Sequence, residues 1–200
     1  MSRSSRMAEF DRQIRTLCGD LSEGRPFLCN GSPFDCEIFL VGINPATDVP
    51  LKPYWSLDHG CNKAAWLEAY REKHPGYRPT RDRIQRLFEA AAPAQILETN
   101  VFHFHSKREA ILPKSHRTTA VFDFLLKTVK PRIMFVYGRS AVRHVEQLLN
   151  VSLTLGEFAS VQHGDRTFEV RAGHHLAYQW SFDAVDKLGH ELRERCSSHS

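Results

Sequence analysis

Two hundred residues, 42% of them hydrophobic and 25% charged, are enough for one domain with a substantial core. A formal charge of +4 permits a polyanionic partner without demanding one, because net charge governs solubility and non-specific binding rather than fold. No apolar run is long enough to span a membrane, and basic residues 1–6 lack the apolar stretch of a secretory signal behind them, so a cytoplasmic protein with no membrane partner is expected.

A single domain over residues 1–200 is predicted, with residues 1–7 and 196–200 as disordered tails. An amphipathic helix is expected over 8–18, ended by Gly19. The first strand is predicted over 36–43, where the unbroken run Ile38, Phe39, Leu40, Val41 suits a strand buried on both faces. It stops abruptly at Gly42-Ile43-Asn44-Pro45. Residues 48–62, with Pro50, Pro53 and Gly60, read as a long loop, and a long loop in a compact domain is usually functional or disordered. Tyr54 and Trp55 favour function, although packing a loop onto the core is the commoner use of such aromatics.

Helices are predicted over 63–73 and 81–91, with Thr80 capping the second. A strand over 95–102, a helix over 118–129 and a strand over 132–137 follow, and Gly138 turns the chain into a helix over 140–149. Residues 158–162 and 166–171 flank His163-Gly164-Asp165 as a hairpin, and a helix over 182–195 closes the chain. Five cysteines (Cys18, Cys29, Cys36, Cys61, Cys196) form no Cys-x-x-Cys pair and fit reduced thiols.

Strands alternating with helices predict an α/β three-layer sandwich, with a central, mainly parallel sheet of about four strands between helices. Right-handed crossovers then bring the ends of the parallel strands to one edge, where open α/β sheets bind ligands. Asn44, Asn100 and the pair His174-His175 converge there. Basic residues gather at Arg71, Lys73, Arg78, Arg81, Arg83 and Arg86, and again at Lys107, Arg108, Lys114, His116 and Arg117; a solvated helix face is the ordinary reading of either group.

The converging residues suit a heterocycle. Asn100 carries donor and acceptor together and can read an edge bearing adjacent C=O and N–H groups. Tyr54 and Trp55 offer a stacking wall, a histidine at 174 or 175 offers a donor, and Asn44 can hold a water. Each also has an ordinary reading. Asn before Pro starts turns, and at most one of two adjacent strand-end histidines enters a given site. His103 and His105, two apart, admit a metal site completed by His174 or His175, but no carboxylate accompanies them at a motif spacing.

Gly42-Ile43-Asn44-Pro45 followed by Tyr54-Trp55 resembles the first motif of the uracil-DNA glycosylase superfamily, and is closest to its mismatch-specific (G·U/G·T) branch. Thr99-Asn100 resembles the family's second-strand asparagine, and Pro131-Arg132-Ile133 through Tyr137-Gly138-Arg139 its third strand and following turn. The second motif falls on His175-Leu176-Ala177-Tyr178, without the family's prolines and serine. The likeness spans residues 36–188 in order. It implies a uracil-DNA glycosylase-like fold and hydrolysis of the N-glycosidic bond of uracil or a related deaminated or mismatched base flipped from DNA. Asn44 then positions the attacking water and His175 donates to the departing base. Gly42, Ile43, Pro45, Tyr54, Trp55, Asn100 and His174 would surround the base. Lys107, Arg108, Lys114, Arg117, Leu176, Tyr178 and Trp180 would meet DNA, with Leu176, Tyr178 or Trp180 as the wedge. The implied protein is a monomeric hydrolase of base excision repair that needs no cofactor, metal or obligate protein partner. A non-catalytic or differently acting nucleobase- or nucleic-acid-binding protein of the same fold is the alternative.

Overall fold

The computed structural model describes residues 2–198 other than 20, 23 and 178. Its strands are β1 (Phe27–Leu28), β2 (Asn30–Gly31), β3 (Ile38–Gly42), β4 (Trp55–Ser56), β5 (Gly60–Asn62), β6 (Ile96–Asn100), β7 (Ile133–Tyr137), β8 (Phe158–His163) and β9 (Arg166–Gly173). Its helices are α1 (Arg3–Cys18), α2 (Lys63–Lys73), α3 (Pro79–Ala91), α4 (Ala120–Val129), α5 (Arg139–Leu149) and α6 (Phe182–Ser198).

The main sheet has six strands in the order β1-β6-β3-β7-β9-β8. The inner four, β6-β3-β7-β9, run parallel, while β1 and β8 pair antiparallel at the two edges. The sheet is therefore mixed and larger than the mainly parallel sheet of about four strands expected. The antiparallel β8–β9 pair is the hairpin expected about Gly164, whereas the other edge was hard to foresee because β1 is only two residues long. Strand periodicity divides the core into two layers. Phe39, Val41, Leu97, Met134 and Val136 belong to the core shared with α1, α4 and α5. Ile38, Leu40, Ile96, Ile133 and Phe135 belong to the one closed by α3 and α6.

Residues 48–62 are ordered rather than a bare loop: Lys52–Tyr54 forms a 3-10 turn, and β4 and β5 join β2 in a three-stranded sheet. Of the expected tails at 1–7 and 196–200, residues 3–7 and 196–198 are helical, while residues 1, 199 and 200 lie outside the described residues. Arg3 to Met7 belong to α1, whose Met7 is buried, and α6 carries the buried Cys196 and continues to Ser198. Met7 and Cys196 each complete one of the two cores. Thr80 lies inside α3, not at its cap. Pro79 occupies the first turn, where a missing N–H costs nothing, and Asp82 accepts the Arg78 N–H at 3.0 Å. Among the described residues no helix is long and apolar enough to cross a membrane.

Candidate functional site

The C-terminal ends of β3, β6 and β7 open into a cavity of about 310 Å³. Asn44, Asn100 and His175, drawn from three separate stretches of sequence, line it together. Its floor follows from strand register. Gly42 pairs with Asn100, and Tyr137 ends β7 on the other side. Both side chains lean over the glycine: a Cβ on Gly42 would lie 2.7 Å from the Tyr137 hydroxyl and 2.8 Å from Asn100 Oδ1. Only a residue without a side chain leaves room for both.

Each of the three polar residues is set up differently. Asn44 Nδ2 donates to the Ser106 carbonyl at 2.6 Å and to the Pro45 carbonyl at 3.1 Å, so both amide hydrogens are engaged and Oδ1 is left to accept. Asn100 is buried, and its Nδ2 has no hydrogen-bond partner. An unpartnered amide donor in a buried strand residue costs about 1–3 kcal/mol, an expense that a ligand oxygen would relieve. His175 Nδ1 accepts the Ala177 N–H at 3.2 Å, which assigns the ring proton of the neutral imidazole to Nε2. His175 is exposed at the cavity, and the partial burial of its ring lowers its pKa and favours that neutral form. The ring is edge-on to Tyr137, with centroids 5.7 Å apart.

Beneath these lies an ionic cluster that sequence reasoning did not find. Glu98, 1% exposed, accepts from Arg25 Nη1 at 2.7 Å and from Arg81 Nη1 and Nη2 at 2.6 and 2.7 Å. Burial alone would push the Glu98 carboxyl up, but the two guanidiniums and their hydrogen bonds hold it well below the usual carboxylate range. Arg25, Arg78 and Arg81 all line the cavity, against Glu98 as its carboxylate, which leaves a surplus of positive charge. The legible signal was Glu98 itself, one acid in the otherwise uncharged strand Ile96–Asn100, since a buried charge must be paired. Tyr70 also lines the cavity, stacked on Trp66 at 5.4 Å. Spaced four apart on α2, the two aromatics share a helix face.

Other expected site residues lie elsewhere. Trp55 is buried against α1: its Nε1–H donates to Asp11 Oδ1 at 2.7 Å and its ring meets Phe27 edge-on. Tyr54 lines a separate hollow with Pro53 and Gly60. The aromatic pair is thus the core anchor that was its ordinary reading, and the wall of the cavity is Tyr70 and Tyr137. Ile43 lines the cavity, while Gly42 and Pro45 support it from the backbone. His174 is exposed, outside that lining, and its carbonyl accepts the Trp180 Nε1–H at 3.0 Å. Leu176 is fully buried and Trp180 packs edge-on against Phe135, so neither is free to act as a wedge; Tyr178 lies outside the described residues.

Of the basic groups, Lys107, Arg108, Lys114 and Arg117 are exposed, with Arg117 bonded to the carbonyls of Glu109, Ala110 and Leu112. In the first group Arg81 and Arg83 are buried, contrary to a solvated helix face: Arg83 bonds the Trp180 carbonyl at 2.6 Å. His103 is buried while His105 is exposed, and among the described residues no three His, Cys, Asp or Glu side chains gather in a group that could hold a metal. No protein-family model matches the chain, and no curated protein matches its sequence.

Proposed function

We propose that the chain is a DNA base-excision glycosylase of uracil-DNA glycosylase-like fold, hydrolysing the N-glycosidic bond of uracil or a related base turned out of DNA. The observation that carries this reading is the meeting of Asn44, Asn100 and His175 in one cavity, each with an unused group of the right kind. Asn100 pairs a free amide donor with its carbonyl acceptor, matching the adjacent C=O and N–H of a pyrimidine edge. Tyr70 and Tyr137 supply the aromatic walls against which the ring would lie.

As the glycosidic bond breaks, its electron pair leaves with the base and positive charge is left on the sugar. The His175 Nε2–H donates to the base oxygen on which negative charge accumulates, and a donor that strengthens as charge develops lowers the barrier. The surplus positive charge of Arg25, Arg78 and Arg81 over Glu98 favours the same anion. Asn44 Oδ1 accepts a hydrogen bond from a water whose oxygen adds to the sugar carbon, and the proton released passes to solvent. Little base strength is needed once an oxocarbenium-like sugar has formed, so an amide suffices. The groups named include no metal or organic cofactor.

The test is release of labelled uracil from single-stranded and G·U duplex oligonucleotides. Asn44→Ala and His175→Ala should each lower single-turnover excision by about 10²-fold or more, on the scale of a lost transition-state donor. Absence of base release from every substrate by the parent, with DNA still bound, would overturn the reading in favour of a binding protein.

A further inference from the structure

With Leu176 buried and Trp180 packed against Phe135, these two side chains of the segment after β9 cannot enter a base stack. The segment between β6 and α4 presents one that can. Ile111 is 65% exposed, an aliphatic side chain turned to water for no internal reason. It lies in a loop that leaves the cavity edge directly after Asn100 and is built as a platform. Ser106 N–H donates to the Pro45 carbonyl at 2.9 Å, and the Ser106 carbonyl receives the Asn44 amide. Leu112 is buried beside Ile111, and the Arg117 guanidinium clamps the carbonyls of Glu109, Ala110 and Leu112. Glu109 in turn meets His144 of α5 at 3.3 Å. Lys107, Arg108 and Lys114 flank the exposed isoleucine with positive charge.

Proteins that unstack DNA insert an apolar side chain between base steps while cations hold the neighbouring phosphates. A wedge works best when already ordered, because less freedom is then lost on contact. Among the described residues Tyr77, exposed between the cavity-lining His74 and Arg78, is less suited, since its hydroxyl is bonded to Arg83 Nη1 at 2.9 Å, and Tyr178 lies outside the described residues. We propose that Ile111 is the side chain that fills the DNA stack when a nucleotide turns into the cavity, with Lys107, Arg108 and Lys114 on the flanking phosphates. The proposal rests on the base-excision reading and gives the positioning role to a loop different from the one the sequence suggested.

Single-turnover excision from duplex and single-stranded DNA tests it in the full chain, with 2-aminopurine fluorescence beside the target base as a second readout. Ile111→Ala should lower duplex excision at least about tenfold, since unstacking costs a few kcal/mol per step, and leave single-strand excision within about twofold. Ile111→Leu should restore the duplex rate. An active parent whose Ile111→Ala variant keeps its duplex rate would overturn the wedge and leave the excision reading standing. If the parent binds DNA without excising any base, a fluorescence rise that Ile111→Ala abolishes would retain the wedge while the excision reading falls. No such rise in that case, or no binding to DNA at all, would overturn both.

Discussion

Replacing Glu98 by glutamine is the sharpest perturbation of this fold. The side-chain shape survives, but two buried guanidiniums lose their counter-charge. The carboxylate accepts three hydrogen bonds of 2.6–2.7 Å from Arg25 and Arg81, which are 4% and 9% exposed. At an effective dielectric constant near 20, each attraction across about 4 Å is worth about 4 kcal/mol. Desolvation and the mutual repulsion of the arginines offset much of that. The net cost of removing one partner from a buried ion pair is about 3–5 kcal/mol. Against a total stability of about 5–15 kcal/mol, Glu98→Gln should lower Tm by roughly 6–20 °C, read by thermal and urea unfolding at pH 7.

The pH dependence has a definite sign. Glu98 is held below its ordinary value of 4.5, so its contribution is present above that value and is lost as pH falls below it. The acid limb below pH 4.5 should be shallower in Glu98→Gln than in the parent. A destabilisation under about 1 kcal/mol with an unchanged acid limb would refute the reasoning, because it would mean that the triad is solvated. Replacing all three charges by apolar residues (Arg25→Met, Glu98→Leu, Arg81→Leu) should give a folded protein of similar stability, as buried ion triads commonly allow.

Gly42→Ala should cost about 1–3 kcal/mol by overpacking and abolish base release, because its methyl meets Tyr137 and Asn100 at 2.7–2.8 Å; denaturation and excision assays on the same preparation check both. His103 is buried with both ring nitrogens unpartnered, and burial, aided by the His116 charge, pushes its pKa down to about 4. Stability should therefore fall as pH drops from 6.5 towards 4, and His103→Leu should remove that fall in urea titrations. Burial pushes the Lys63 ammonium down to about 7, so parent stability should rise between pH 7 and 10 and Lys63→Met should flatten the rise. His175→Ala should reduce turnover at least tenfold more than His174→Ala, since His175 lines the cavity and His174 does not. Equal effects would remove the assigned donor.

Most of the helices were legible from their apolar periodicity and the inner strands from their nearly unbroken apolar runs. The run at Ile38 and the amphipathic stretch of α5 leave little choice of element or face. The converging edge followed from topology, which is why Asn44, Asn100 and His175 were found together. Trp55 was misread because spacing in sequence cannot say which way a loop folds back, and Asp11, its partner, is 44 residues away. Arg25 and Arg81 were missed for a related reason: arginines read as surface until the acid that draws them inward is recognised. The edge strand β1 is too short to carry a periodicity of its own.

The two hydrogen bonds that fix Asn44 also make its orientation a property of a distant segment. Its amide hydrogens are held at the Ser106 and Pro45 carbonyls, and Ser106 lies in the same segment between β6 and α4 as Ile111. A displacement of Ser106 would move the acceptor that orients the Asn44 amide, and with it Oδ1. The loop proposed to meet DNA and the amide proposed to hold the nucleophile are therefore joined through the Ser106 backbone. Contact at that loop need send no separate signal to the cavity, because the Ser106 carbonyl already holds Asn44.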